Sequence, residues 1–209
     1  MNDVRVKLVL ASASPRRLAL LDQVDLAPDL MHPTDIDEEP KKRETPRAMA
    51  LRLAKSKAEA AAKATQVKEL GPNTFILAAD TVVAVGRRVI PKPERIEEAA
   101  AGLRLLSGRA HKVITGICLI APGDQMRSRL VETKVRFKRL SRDDVETYLM
   151  SDEWRGKAGG YAIQGRAEAF VRMINGSYSN VVGLPVYETI ALLQGNGYPV
   201  YFSWLNAGD

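Results

Sequence analysis

Apolar positions recur along this chain in two rhythms, one of period two and one near 3.6. Val4 and Val6 alternate with polar residues, and Leu8-Val9-Leu10 thickens the alternation into a continuous run, the pattern of a central strand. The chain then turns through Ser12 and Ser14, and Pro15 opens a helix to about Val24. Proline at the first helical position loses no amide hydrogen bond, and Ser14 suits the N-cap, where a hydroxyl accepts an orphan amide. Thr45-Pro46 repeats that signal and opens a longer helix to about Ala64, with Ala50, Leu53, Ala54, Ala58 and Ala61 as its apolar stripe. Residues 75–79 and 82–85 read as two apolar strands separated by Asp80-Thr81, and Gly86-Arg87-Arg88 reads as a hairpin turn. A helix is expected over 94–107, followed by strands over 111–121 and 126–140. The capping box Ser141/Asp144 starts a further helix, to about Met150. Beyond it the pattern predicts a loop and short strand over 157–165, a strand over 169–174, a loop and helix over 180–195, and an alternating strand over 198–204. Strands interleaved with helices over 209 residues, without repeats or an evident linker, predict an α/β fold in one domain or one domain with a small lobe.

Composition narrows the picture. Apolar residues make up 45% of the chain, enough for a proper core, and no run of ~18 apolar residues could span a membrane. The first residues, Met1 to Arg5, lack the pattern of a signal peptide, so a cytoplasmic protein is expected. Cys118 is the sole cysteine, which excludes an internal disulfide, and its apolar neighbours over 113–120 predict a buried, inert thiol. The net charge of +6 points to anionic partners, nucleic acid or a small phosphorylated ligand. The basic residues are scattered, however. Arg127, Arg129, Lys134, Arg136, Lys138 and Arg139 interleave with apolar residues as the wet face of a strand would, and no zinc spacing, RNA-binding aromatic signature or recognition helix is present. His32 and His111 lie far apart, which leaves no His-rich metal site.

Several polar residues sit where the pattern gives them no structural reason. Arg16 and Arg17 fall in the first turn of their helix, the end where the dipole disfavours cations. Either they are solvated, or they hold an anion together with the helix amides and two serines. Residues 35–39 place four carboxylates in five positions, which makes either a solvated acidic loop or oxygen ligands for magnesium or manganese. Lys57 lies inside the alanine stripe, where it snorkels from the edge or reaches a phosphate. Asp80 stands between two apolar runs, at a strand end where α/β sheets bind ligands; the alternative is an Asp that stabilises a turn. Lys92, between two prolines, is a rigidly presented cation or an ordinary loop lysine. The glycine-dense tract around Gly156, Gly159, Gly160 and Gly165 lets backbone approach a ligand, and the Gln164 amide could pair with the edge of a base.

Taken in order, these pieces resemble one family. Leu10-Ala11-Ser12-Ala13-Ser14-Pro15-Arg16-Arg17, Asp37-Glu38, the tract from Arg52 to Ala58, Ala79-Asp80-Thr81-Val82-Val83, Lys92-Pro93, Ser107-Gly108-Arg109-Ala110-His111, the tract from Ala158 to Gly165 and the tract from Ser179 to Pro185 are similar to the motifs of the Maf nucleoside triphosphate pyrophosphatases. The resemblance runs from about residue 7 to about residue 190. It implies a long, mixed, twisted sheet between helices, similar to inosine triphosphate pyrophosphatases, in a single domain over 1–209 with two lobes around a central cleft. It implies hydrolysis of a nucleoside triphosphate to the monophosphate and pyrophosphate, a divalent metal (Mg²⁺ or Mn²⁺), a cytoplasmic location, often a homodimer, and no membrane or specific nucleic-acid partner. The tract from Tyr161 to Gly165 is similar to the branch acting on dTTP and UTP rather than the one associated with 7-methyl-GTP.

Carried over position by position, Asp80 matches the family's proton acceptor. Arg16, Thr81 and Gln164 match positions of substrate specificity, and Ile163, beside the last, is expected to bind substrate with them. Ser12, Arg17, Glu38, Lys57 and Lys92 match phosphate- and metal-handling positions, with Glu38 and Asp80 as the metal pair. Pro91 departs from the family, which has glycine before Lys-Pro. The family is also tied to septum formation, which no residue here derives. Two other functions compete with the dTTP/UTP reading: a 7-methyl-GTP pyrophosphatase, and a non-catalytic adaptor for nucleic acid or cell division that uses the basic surface.

Overall fold

A single mixed sheet runs through the molecule. The computed structural model describes residues 5–201. The strands are β1 (Lys7–Leu10), β2 (Leu30–Met31), β3 (Thr74–Val85), β4 (Arg88–Ile90), β5 (Ala110–Ala121), β6 (Gln125–Phe137) and β7 (Val171–Asn175). They lie in the order β2-β1-β3-β5-β6-β7, with β4 on β3 off that path. β1 is parallel to both of its neighbours and every other pair is antiparallel. The helices are α1 (Pro15–Asp22), α2 (Pro46–Lys63), α3 (Thr65–Lys68), α4 (Ile96–Leu106), α5 (Arg142–Met150), α6 (Tyr178–Val182) and α7 (Val186–Gln194). The expected class, a long mixed sheet flanked by helices, is what the chain adopts. Among the described residues no helix is long and apolar enough to cross a membrane.

Strand alternation sends successive side chains to opposite faces. One face carries Val9, Ile76, Ala78 and Cys118, packed against Ala54, Ala58 and Ala61 of α2 and Val67 of α3. The other carries Leu8, Leu77, Ile117 and Val135 beneath Leu20 of α1, Leu103 of α4, Tyr148 of α5 and Leu193 of α7. Cys118 is fully buried, and burial pushes its thiol up to about 11, so it is the inert sulfur its neighbours predict.

Helix α2 rides unusually low on its face. Its stripe is mostly alanine, and opposite it Gly116 of β5 has no side chain to hold it off. A Cβ at Gly116 would lie 2.7 Å from the carbonyl carbon of Ala50 and 2.9 Å from Cα of Leu51. Gly116 is also the partner of Asp80 in the β3–β5 ladder. The close approach therefore falls on the very register that carries Asp80.

Asp80-Thr81 does not break the chain into two strands, as the sequence pattern suggests. β3 runs unbroken through both residues. Its other edge is where continuity fails. β1 ends opposite Leu77 and β4 begins opposite Val83, so residues 78–82 of β3 pair only with β5. The result is a notch in the sheet, bounded by the carboxyl end of β1.

Other expectations shift at the ends. The tract over 157–165 forms no strand, because Gly156, Gly159 and Gly160 adopt positive φ (+64°, +73° and +69°), which a pleated strand does not accommodate. It contains a 3₁₀ turn, Ala158–Gly160, and a second 3₁₀ turn, Arg166–Phe170, delays β7 to Val171. β6 ends at Phe137, short of the expected Leu140. At the C-terminal end, residues 198–201 form no strand: Pro199 brings no amide donor, and a helical turn begins at Val200. The rest of that expected strand, 202–204, lies outside the described residues.

Replacing Gly116 with alanine should lift α2 from the sheet. The atoms it meets are backbone and cannot swing aside, so a loss of about 1–3 kcal/mol in stability is expected, read as a lower urea midpoint with unchanged m. An unchanged midpoint would contradict the close approach.

Candidate active site

The notch opens into a cleft of about 490 Å³. Ser12, Arg16, Arg17, Glu38, Lys57, Asp80, Thr81, Lys92 and Gln164 all line it. They come from the β1–α1 turn and the first turn of α1, the acidic loop, α2, the stretch of β3 paired on one side only, the loop after β4 and the glycine-rich tract. Ile163 is the exception. Its side chain is 1% exposed and belongs to the apolar core, so this position could meet a ligand only through its backbone.

Lys57 is the centre of the arrangement. Its alkyl stem leaves the alanine stripe, and its Nζ donates to Oδ1 of Asp80 at 2.5 Å and meets Oε1 of Glu38 at 2.6 Å. Lys57 and Asp80 are both buried. An isolated charge there would be prohibitive, so each depends on the other. Glu38 is drawn in from the loop, and its Oε2 accepts from Nζ of Lys92 at 2.8 Å. Burial pushes its carboxyl up, but the hydrogen bonds from Lys57 and Lys92 outweigh that and hold it at about 2. Of the four acidic side chains over 35–39, Asp35, Asp37 and Glu39 stay exposed, and the Asp37 carboxylate only closes a turn on the amide of Glu39. The acidic stretch is thus mainly a solvated loop that contributes one carboxylate to the cleft.

The adjacent arginines separate. Arg17 is buried: Nε donates to the carbonyl of Gly183 at 2.8 Å, Nη1 to Oγ of Ser12 at 3.0 Å and Nη2 to Oγ1 of Thr81 at 3.4 Å. Arg16 is half-buried, lines the cleft, and has no hydrogen-bond or ion-pair partner among the described residues. The same Oγ of Ser12 accepts from the amide of Ser14 at 3.1 Å. Ser14 occupies the N-cap of α1, but its hydroxyl makes no cap bond and is left facing the cleft.

A buried polar chain fixes Arg17's acceptors. Nδ2 of Asn180 donates to the carbonyl of Val113 at 3.1 Å and to Oγ1 of Thr133 at 2.9 Å. The carbonyl of Asn180 accepts from Thr115 Oγ1 at 3.1 Å, and Thr115 Oγ1 lies 3.0 Å from Thr81 Oγ1. Since the Thr115 proton goes to Asn180, Thr81 donates to Thr115, and its hydroxyl is already engaged on both sides.

These residues stand in a chain whose stretch 7–196 matches the model of the Maf-like proteins. The chain belongs to the Maf family. Similar curated members include the dTTP/UTP pyrophosphatase of Rhodopseudomonas palustris (strain HaA2), 61% identical over 97% of this chain and 98% of that protein. Another is the dTTP/UTP pyrophosphatase of Bradyrhizobium diazoefficiens, 61% identical over 97% of each. Among solved structures, the chain overlaps a nucleoside-triphosphatase / dITP/XTP pyrophosphatase from Mycobacterium abscessus over 97% of this chain and all of that one. The TM-score there is 0.43 and the identity 16%, a likeness too slight to carry weight.

The sequence pattern did not single out several residues that this Maf cleft uses. Thr115 is a polar side chain inside an apolar run, which is a signal; Thr133, between Glu132 and Lys134, and Asn180, after Ser177-Tyr178-Ser179, look like ordinary surface polar residues in sequence although they are buried. Tyr161 lines the cleft, and its hydroxyl lies 2.8 Å from Nε2 of His111, whose pKa burial lowers to about 4. Arg155 and Lys157 also reach the cleft. For a metal, Glu38 and Asp80 supply hard oxygens, and among the described residues no cluster of three or more His, Cys, Asp or Glu forms a closed cage. Two carboxylates fit magnesium, which commonly takes one or two such ligands and completes its shell with water and substrate phosphate.

The Glu38 shift has a defined sign. Its folded pKa near 2 lies below the ordinary 4.5, so its ion pairs stabilise the fold above pH 4.5, and that stabilisation is lost as pH falls from 4.5 toward 2. Urea unfolding across this window should show stability falling more steeply for the wild type than for Glu38→Gln. Parallel profiles would mean that Glu38 is not held by the two lysines.

Proposed function

We propose that this Maf protein is a nucleoside triphosphate pyrophosphatase acting on dTTP and UTP. The observation that carries the reading is the buried Lys57 ammonium clasped between Asp80 and Glu38 at the open edge of β3. The 61% identity to curated dTTP/UTP pyrophosphatases over nearly the whole chain supports it. In the proposed reaction a water oxygen attacks the α-phosphorus, the α–β anhydride bond breaks, pyrophosphate leaves, and the water's proton passes to a carboxylate.

Asp80 is the candidate for that carboxylate. Lys57 donates to its Oδ1 and thereby orients the group, leaving Oδ2 to receive a proton. Phosphoryl transfer depends mostly on positioning and charge stabilisation, and Lys57, Lys92 and Arg16 bring cations to the cleft for that purpose. Glu38 and Asp80 would hold a divalent metal, which would supply Lewis-acid neutralisation of the phosphate charge. Gln164 is exposed at the cleft and has no protein partner among the described residues, so its amide is free to pair with the acceptor–donor–acceptor edge of uracil or thymine. Cytosine presents a different edge. Thr81 serves from beneath, by holding Arg17 and Thr115.

Pyrophosphate release with magnesium, measured over dTTP, UTP, CTP, GTP and 7-methyl-GTP, tests this directly. dTTP and UTP should lead, with CTP well behind, and Asp80→Asn should lose activity by about 10²–10⁴-fold with its circular dichroism intact. Dominance of a guanine nucleotide would overturn the base assignment. No turnover with magnesium or manganese, together with salt-sensitive polymer binding, would instead favour a nucleic-acid adaptor.

A further inference from the structure

The cations of the cleft are not equivalent. Lys57 and Lys92 are neutralised by Glu38 and Asp80. Arg17 is tied to a carbonyl and two hydroxyls. Arg155 pairs with Asp152 at 3.0 Å and stacks 4.4 Å over the ring of Trp154. Lys157 differs from all of these. Its Nζ donates only to the backbone carbonyl of Arg155, at 3.0 Å, and no carboxylate among the described residues comes within ion-pair distance. The acid whose charge reaches it, Glu153, is committed elsewhere: its Oε1 and Oε2 accept from the side chain and the amide of Arg166, both at 2.8 Å.

Lys157 shares the cleft lining with another cation, Arg16. Burial and the charge of Arg16 both lower the Lys157 pKa, and Arg16 itself has no hydrogen-bond or ion-pair partner among the described residues. Two partly buried like charges in one cleft repel, and an anion beside them relieves that repulsion. A nucleobase is neutral and cannot relieve that repulsion, whereas a phosphate can, and an ammonium is a natural point-charge donor to phosphate oxygen.

The backbone holds Lys157 in place. It immediately precedes the 3₁₀ turn Ala158–Gly160, which packs where side chains are missing. A Cβ at Gly159 would lie 2.8 Å from Cγ1 of Val83 on β3, and one at Gly160 would lie 3.3 Å from Cγ of Pro93, next to Lys92. The turn thus rests on the strand that carries Asp80 and on the loop that carries Lys92. Lys157 is preorganised with respect to both.

We infer that Lys157 is a substrate-binding residue that takes an oxygen of the triphosphate chain, beside Arg16, in the cleft that Lys57 and Asp80 organise. The inference rests on the pyrophosphatase reading above for the identity of the ligand. Binding of non-hydrolysable α,β-methylene dTTP and UTP, and of thymidine, to the full chain with magnesium should be measured by calorimetry for the wild type, Lys157→Met, Lys157→Gln and Lys157→Arg. Glutamine keeps a donor for the Arg155 carbonyl but removes the charge, so it separates charge from local folding. The Met and Gln variants should bind both analogues about 10- to 100-fold more weakly, as for one lost charge-assisted hydrogen bond. The factor should be the same for dTTP and UTP analogues, with thymidine binding unchanged and arginine restoring affinity.

Analogue binding that is unchanged in Lys157→Gln would overturn the assignment. So would a parallel loss for thymidine, or a factor that depends on the base. Failure of the pyrophosphatase reading is a separate result, in which the wild type releases no pyrophosphate from any triphosphate. Loss of analogue binding in the charge-removing variants would still support the subsite in that case.

Discussion

A single ammonium group clasped by two carboxylates is the constraint on which this molecule turns. Lys57 is buried on the alanine face of α2, and the carboxylates of Asp80 and Glu38 are what let a hydrophobic stripe hold its charge. The dependence is mutual, since Asp80 lies within an apolar strand and is itself buried. Breaking such a pair costs on the order of 3–5 kcal/mol, more than a typical surface ion pair contributes by severalfold. The geometry of α2 follows from this pair: alanines and Gly116 let the helix lie close enough for the lysine to reach the strand. Glu38 then folds in as the second carboxylate and brings the acidic loop against the cleft.

The cleft exists because the sheet is interrupted on one edge only. β1 stops before Asp80 and β4 starts after it, while β5 pairs across the whole stretch. Asp80 and Thr81 are therefore held rigidly from one side and exposed to a ligand from the other. Alternation places them on opposite faces, so Asp80 meets Lys57 and Thr81 meets Arg17 and Thr115. The buried chain through Thr115, Asn180 and Thr133 anchors α6, and with it the Gly183 carbonyl that holds Arg17. A site built from a strand centre and a hydrogen-bonded second layer is already in position before substrate arrives, which is what charge stabilisation in phosphoryl transfer requires.

Charge is unevenly distributed within this frame. Around Lys57 and Lys92 the carboxylates offset the cations, whereas Arg16 and Lys157 make no ion pair among the described residues. A bound polyanion would see a site that is partly pre-neutralised, suited to a metal and a proton acceptor, and partly still positive, suited to holding phosphate.

Much of this was legible in the sequence, and the residues show where legibility ends. The α/β class, the starts of α1 and α2 at Ser14-Pro15 and Thr45-Pro46, and the buried thiol of Cys118 follow from local chemistry: caps, proline and periodicity act over a few residues and need no tertiary partner. The oddity of Arg16, Arg17, Lys57 and Asp80 was equally visible, because each violates a local rule, whereas Lys92 in its loop violates none. What each one does was not. Only the fold made one arginine a buried strut and left its neighbour half-buried at the cleft, without a partner among the described residues. Only the fold carried β3 straight through Asp80, since the charge that permits this arrives from a helix 23 residues earlier in the chain. Local pattern can show that a polar group is out of place, but its energy depends on partners brought from elsewhere in the chain, and those are decided by packing in three dimensions.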